Sequence, residues 1–142
     1  MPTSPTALIV LALGLAICLL ACWKGGPAER LGALLILINT VAFIGAGYVL
    51  PKSTLTILLL ADDALTALGL LAITLRYGSL WLGGCMLFYA AQFTLHSYYF
   101  VTERPSDGFH AIVNNINFLG MILCLAVGTA ATWRKRMGQA AA

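Results

Sequence analysis

Charged residues are scarce in this sequence, and that scarcity indicates its class. They make up 9% of the 142 residues, whereas hydrophobic residues make up 61%, and the mean hydropathy is +0.93. Soluble domains are about half apolar and about a quarter charged, so this composition excludes an ordinary soluble domain. At about 20 residues per crossing, the chain has room for several membrane spans. We expect one transmembrane domain over residues 1–142 and no extramembrane domain.

The motifs of soluble enzymes are also missing. The sequence contains no GxSxG, no HExxH, no glycine-rich phosphate loop and no paired CxxC motif. Its cysteines lie inside apolar stretches without metal-ligand spacing and are expected to be small buried hydrophobic residues: Cys18, Cys22, Cys85 and Cys124. We predict no catalytic residue, no metal ligand and no cofactor. The sequence favours a non-enzymatic protein without deciding the question.

Proline is missing from five long apolar runs, which predict five transmembrane helices. Their expected bounds are residues 7–23, 31–50, 54–75, 80–101 and 110–133. Since proline interrupts helices, its confinement to the segments between these runs supports the bounds. Residues 51–53 form a very short turn, so the second and third helices must be antiparallel neighbours. The predicted fold is an all-α, polytopic bundle of five membrane-spanning helices.

Basic residues are distributed unevenly between the two ends of the predicted spans. If the C-terminus is cytoplasmic, two basic residues lie outside, Lys52 and Arg104, and six lie inside: Lys24, Arg30, Arg76, Arg134, Lys135 and Arg136. The positive-inside rule then predicts an outer N-terminus and a cytoplasmic C-terminus. Because orientation explains the basic residues, we predict no nucleic-acid partner. The expected partners are the lipid bilayer and either further copies of the chain or another membrane protein. The Ala- and Leu-rich composition favours a bacterial inner membrane.

Two adjacent acidic residues, Asp62 and Asp63, interrupt the third apolar run. Each aspartate at a helix centre costs about 2.5–3.5 kcal/mol on the biological insertion scale, while each Leu or Ile returns about 0.3–0.6 kcal/mol. The third span is therefore marginal alone and needs polar partners. Successive residues point about 100° apart on a helix, so one carboxylate can face the bundle while the other lies on a flank.

The expected partners are polar side chains at matching depth on the neighbouring spans. Counting about 1.5 Å per residue from the turn at residues 76–79 places Asp62 and Gln92 at the same level. On the fourth span, Tyr89, Gln92 and His96 share one face, by their spacing. The predicted cluster reaches from the midplane towards the outer surface and contains Asn39, Asp62, Asp63, Thr66, Gln92, His96, Asn114 and Asn117. It leads towards a secondary outer group formed by Glu103, Asp107 and His110. The inner half of the bundle has few polar residues by this interpretation, so the sequence predicts no full conducting path.

Three functional hypotheses follow from this cluster. The first is an ion- or proton-coupled carrier or channel-like subunit, with its site at Asp62, Asp63, Gln92 and His96. The second is a non-catalytic accessory or assembly subunit, in which the polar layer docks helices against one another. A third and weaker hypothesis is a metal or cofactor site at the outer face, because imidazole and carboxylate groups bind transition metals. The sequence leaves the first two open.

Overall fold

A computed structural model describes residues 5–140, apart from the side chains of residues 52, 53 and 56. These residues form five α-helices and no β-strand, which confirms the all-α prediction. The helices are α1 (Pro5–Lys24), α2 (Pro27–Val49), α3 (Lys52–Tyr77), α4 (Leu80–Val101) and α5 (Gly108–Ala140).

Proline and glycine set several of the helix ends. Pro27 opens α2, where its missing N–H group is not needed, and Pro51 precedes α3 in an extended conformation. Gly78 ends α3 with a left-handed φ of 58°, which glycine adopts without the steric cost that a side chain would bring. The resulting turns are short, so successive helices run antiparallel.

The five helices pack as a closed ring in chain order. Each helix contacts its neighbours in sequence, and α5 returns to contact α1 and also touches α2. The most extensive contact is between α4 and α5. Fully buried apolar side chains from all five helices fill the centre, including Cys18, Ala33, Leu70, Leu82 and Leu125. This ring places the polar side chains of α2 to α5 around a common interior.

Trp81 at the start of α4 shows how closely the helices approach one another. A Cβ atom added to Gly128 would lie 2.4 Å from Cδ1 of Trp81, and one added to Gly32 would lie 2.8 Å from its Cη2 atom. The indole therefore requires glycine on both α2 and α5. Small residues at helix contacts are typical of membrane bundles, where close backbone approach provides much of the packing energy.

The outer surface of the bundle suits lipid better than water. Large apolar side chains face outward, and Leu75, Leu80 and Val49 are the most exposed of them. Within residues 5–140, four segments are long and apolar enough to cross a membrane: α1, α2, residues 57–77 of α3, and α5. The fourth helix, α4, is not among them, since it carries Gln92, His96 and three tyrosines.

Two segments differ from the bounds expected from sequence. The fifth helix continues through its basic cluster to Ala140, well past the predicted end at residue 133. Residues 24–30, between the first two predicted spans, are mostly helical: only Gly25 and Gly26 lie outside α1 and α2. Glu29 lies buried in the first turn of α2. Its carboxylate accepts hydrogen bonds from Trp81 Nε1 at 2.9 Å and Thr132 Oγ1 at 3.1 Å. The expectation of an inner half with few polar groups is therefore wrong at this position.

Candidate functional site

Asp63 is a buried acidic residue inside the bundle. Its side chain is 8% exposed and pairs through Oδ2 with Nδ1 of His96, whose side chain is 15% exposed. The hydroxyl group of Tyr89 donates a hydrogen bond to the other carboxylate oxygen, Oδ1, at 3.3 Å. Both partners lie on α4, so Asp63 joins α3 to α4 through its two oxygens.

Asp62, the preceding residue, lies in a different environment. It is only partly buried, and its Oδ2 atom accepts a hydrogen bond from Asn39 Nδ2 at 2.7 Å. The same amide nitrogen lies 3.2 Å from Thr66 Oγ1 and 3.0 Å from Tyr89 Oη. Asn39 therefore connects α2 to both α3 and α4, and it is the hydrogen-bond partner of Asp62.

Gln92 links the acidic region to α5. Its Nε2 atom lies 3.0 Å from Nε2 of His96 and donates to Oδ1 of Asn114. Its Oε1 atom accepts a hydrogen bond from Asn117 Nδ2 at 3.2 Å. The side-chain amide thus contacts three groups on α4 and α5, and it fixes the position of the His96 ring from the side opposite Asp63.

A cavity of about 120 Å³ lies between all five helices beside these side chains. Its polar lining comes from α2 to α5 and comprises Asn39, Thr40, Asp62, Asp63, Tyr89, Gln92, His96, Asn114 and Asn115. Its apolar lining comprises Ala7, Val10, Leu11, Phe43, Ile44, Leu59, Phe118 and Met121. The cavity lining therefore combines acidic and amide groups with aliphatic and aromatic ones.

Two of the predicted outer-face residues connect to this region. Asp107 Oδ1 accepts hydrogen bonds from the Tyr99 hydroxyl at 2.6 Å and from the backbone N–H of His110 at 2.9 Å. These two donors hold the pKa of the Asp107 carboxyl below its usual range. The ring of His110 stacks on that of His96, with 5.3 Å between centroids. A continuous series of side chains thus runs from the loop before α5 to Asp63.

Glu103 is the predicted site residue that stays apart from this series. Its side chain is exposed, its backbone has a positive φ of 51°, and it makes no side-chain hydrogen bond or ion pair within the described residues. In the part of the chain that the structure describes, no three His, Cys, Asp or Glu side chains converge as metal ligands. The four cysteines are free thiols within the helices.

Three polar residues that line the cavity lie outside the predicted cluster: Thr40, Tyr89 and Asn115. The signal for Tyr89 was present, because it shares a helix face with Gln92 three residues later. Asn115 follows Asn114 in sequence, and periodicity alone gives no reason to direct both amides to the same space. Asn114 and Asn115 both line the cavity, because it extends across the angle between their side chains.

Comparison with protein-family models, curated proteins and solved structures gives no match. A function for this chain is therefore inferred from its own side chains and from the cavity that they surround.

Proposed function

We propose that this protein is a small membrane carrier or channel-like subunit that binds a proton or a cation at Asp62. One observation carries the proposal: Asp62 lines an internal cavity, and within residues 5–140 it forms no ion pair with a Lys, Arg or His side chain. Its hydrogen-bond partner is the neutral amide of Asn39. A carboxylate in this environment is a functional site by default, because an unpaired charge inside a bilayer is costly.

The charges around the cavity support this assignment. Two carboxylates, Asp62 and Asp63, lie beside one imidazole, His96. His96 contacts Asp63 directly, so that carboxylate has a basic partner. Asp62 has no such partner among the described residues, and in this proposal either a proton or a bound cation neutralises it. Asp63, His96 and Gln92 then hold the geometry of the site, while Asp62 exchanges the ion.

We further propose that all five helices span the membrane, including α4. Most of the polar side chains of α4 that lower its hydropathy face the interior: Tyr89, Gln92 and Tyr99 are buried and His96 is half-buried, while Tyr98 is exposed. Its outward residues are mostly apolar, with Leu80 and Leu87 among the most exposed. A helix whose polar groups are satisfied inside a bundle can cross a bilayer despite a modest mean hydropathy.

We propose an outer N-terminus and a cytoplasmic C-terminus, which the distribution of charge supports, and a bacterial inner membrane, which the Ala- and Leu-rich composition favours. Contacts of Glu29 with Trp81 and Thr132 bring the α1–α2 turn, the start of α4 and the end of α5 to one end of the bundle. That end carries six of the eight basic residues, and the opposite end carries Arg104 and Lys52, the latter with a side chain outside the described residues. The positive-inside rule makes the richer end cytoplasmic.

Proton or cation flux in proteoliposomes tests the proposal. The purified protein is reconstituted with a pH-sensitive dye inside the vesicles, and flux is driven by a membrane potential or by an opposing gradient of Na⁺, K⁺ or a small ammonium salt. We expect dye responses above those of protein-free vesicles, and we expect Asp62→Asn to abolish them. Glu103→Gln is the matched control, since it makes the same acid-to-amide change on an exposed loop.

Equal flux from Asp62→Asn and the unmodified protein, with both inserted in equal amounts, would contradict the proposal. Topology is tested separately by accessibility labelling of single cysteines placed at Ser106 and Lys135 in a background without the native cysteines. The proposal predicts labelling of the first from outside and of the second only after the membrane is permeabilised.

A specific observation also favours the accessory-subunit hypothesis as a second candidate. The amides of Asn39 and Gln92 each contact three other polar groups, all on helices of this same subunit. Interhelical hydrogen bonds of this kind hold membrane bundles together. In this second candidate the polar layer docks helices, the protein works in a homo-oligomer or with another membrane protein, and the flux assay gives no signal above empty vesicles.

A further inference from the structure

The cavity beside Asp62 is lined by side chains of contrasting chemistry. They include the carboxylate of Asp62 and the amide of Asn115, and also the apolar side chains of Phe43, Phe118 and Leu11. A proton needs no cavity, and a hard inorganic cation is bound by several oxygen ligands rather than by aliphatic neighbours. A lining of this kind suits a ligand that carries both a positive charge and an apolar part, since aromatic rings attract organic cations.

Two polar groups in this cavity are free to meet such a ligand. Asp62 uses Oδ2 for its hydrogen bond to Asn39, which leaves Oδ1 without a partner among the described residues. The side chain of Asn115 lines the cavity and makes no hydrogen bond within the same part of the chain. An ammonium group has only donors to offer, and the free carboxylate oxygen and the amide oxygen are both acceptors.

Charge and coordination argue against the other ligand classes. The negative charge of Asp62 repels anions. A metal ion such as Ca²⁺ takes about 6–8 oxygen ligands, whereas no group of three His, Cys, Asp or Glu side chains converges within the described residues. The volume sets an upper size: the cavity of about 120 Å³ is slightly smaller than an engineered cavity of about 150 Å³ that holds benzene.

We propose that this cavity binds a small organic ammonium ion, no larger than benzene, with its ammonium group between Asp62 and Asn115 and its apolar part against Phe43 and Phe118. This inference rests on the proposed function and names the cation class of the same site. The ammonium ion and the proton compete for one carboxylate. When the ammonium ion replaces the proton on Asp62, that proton leaves to the outer water.

The groups that influence this competition lie on two neighbouring helices and on α3 itself. Asp63 lines the cavity from α3, and Tyr89 and His96 line it from α4. The ring of His110, on α5, stacks on that of His96. The cavity-lining residues of α1 and α2 carry no titratable side chain. Ammonium binding should therefore weaken as the pH falls, because acid protonates the carboxylate that the ligand needs.

Calorimetry on the purified protein in lipid nanodiscs tests the inference with isopropylammonium as the probe. Four comparison probes are used. Tetrapropylammonium is too large for the cavity, isopropanol is an uncharged relative of the first probe, and Na⁺ and Ca²⁺ represent inorganic cations. We expect isopropylammonium to bind and the other four probes to bind at least about tenfold more weakly, as the loss of a hydrogen bond to a charged group implies. Asp62→Asn and Asn115→Leu should each weaken isopropylammonium binding, and Glu103→Gln should not.

Several outcomes would overturn the inference. Binding of Na⁺ or Ca²⁺ as strong as that of isopropylammonium would assign the cavity to inorganic cations. Unchanged isopropylammonium affinity in Asp62→Asn would move the site elsewhere. No binding of any ammonium probe, together with an Asp62 carboxyl group that titrates, would reject the organic ligand while the proton site stands. No binding and no titration would reject both proposals.

Discussion

Asp63 and His96 contact each other across α3 and α4, although 33 positions separate them in the chain. Asp62, the immediate neighbour of Asp63, meets no basic side chain within the described residues and accepts its hydrogen bond from Asn39. Adjacent positions on a helix point about 100° apart, and that angle gives the two carboxylates different partners. One carboxylate is paired and organises the site, and the other is available for a ligand.

Removing Asp63 should destabilise the protein more than removing Asp62. Breaking a buried pair by removing one partner costs about 3–5 kcal/mol, and we expect a loss in this range for Asp63→Ala. Asp62→Ala loses one hydrogen bond but also removes an unbalanced charge, so we expect a change within about 1 kcal/mol. Reversible unfolding in mixed micelles measures both, and equal losses for the two variants would contradict this division of roles.

Asn39→Ala tests the link from α2 to α3 and α4. Its amide lies within hydrogen-bonding distance of Asp62, Thr66 and Tyr89. Interhelical hydrogen bonds in membranes average about 0.6 kcal/mol, so we expect a loss of about 1–2 kcal/mol in the free energy of unfolding. Thr40→Ala is the matched control, because among the described residues the Thr40 hydroxyl bonds only to the backbone oxygen of Ile36 in its own helix. A control loss as large as that of Asn39→Ala would count against the account.

Glu29→Gln tests the polar contact at the opposite end of the bundle. The carboxylate accepts hydrogen bonds from Gly26 N, Trp81 Nε1 and Thr132 Oγ1. A glutamine directs an NH₂ group towards one of these donors, so we expect a loss of about 2 kcal/mol, the range for hydrogen bonds to charged groups. The same acid-to-amide change at Glu103 should leave the unfolding midpoint unchanged. A stable Glu29→Gln variant would show that these bonds add little.

The pKa of Asp107 reports the contact between the loop before α5 and α4. The Tyr99 hydroxyl is the largest cause of its lowered pKa, so Tyr99→Phe should raise the pKa towards the usual aspartate range. Because the folded-state pKa is the lower one, Asp107 stabilises the start of α5 at neutral pH, and this contribution is lost as the pH falls through that pKa. Carboxyl ¹³C chemical shifts measure the titration, and an unchanged pKa in Tyr99→Phe would exclude the contact.

The helices could be predicted from sequence because long apolar runs and the positions of proline and glycine are local signals. Depth counting placed Asp62 level with Gln92, and both line the same cavity. The predicted cluster also contained Asn39, which the structure joins to Asp62 by a hydrogen bond. The count depends only on helical rise and short turns, so it holds when helices are straight and antiparallel.

Other features of the site depend on packing, which periodicity does not describe. Glu29 has the sequence context of a solvated turn, and only the arrival of Trp81 and Thr132 from distant helices buries it. Likewise, the pattern could not decide which of Asp62 and Asp63 pairs with His96, because that choice depends on the rotation of α3 about its axis. The cavity itself is a gap between five helices and has no sequence signal.

The protonation of Asp62 in the membrane tests the central claim most directly. Infrared difference spectroscopy is recorded across about pH 5–9, the range into which burial can move carboxyl groups, with Asp62→Asn and Asp63→Asn samples to assign the bands. The account predicts a carboxyl band that is missing from Asp62→Asn, titrates within this range and shifts when isopropylammonium is added. An Asp62 band that stays protonated throughout, indifferent to every added cation, would contradict the account.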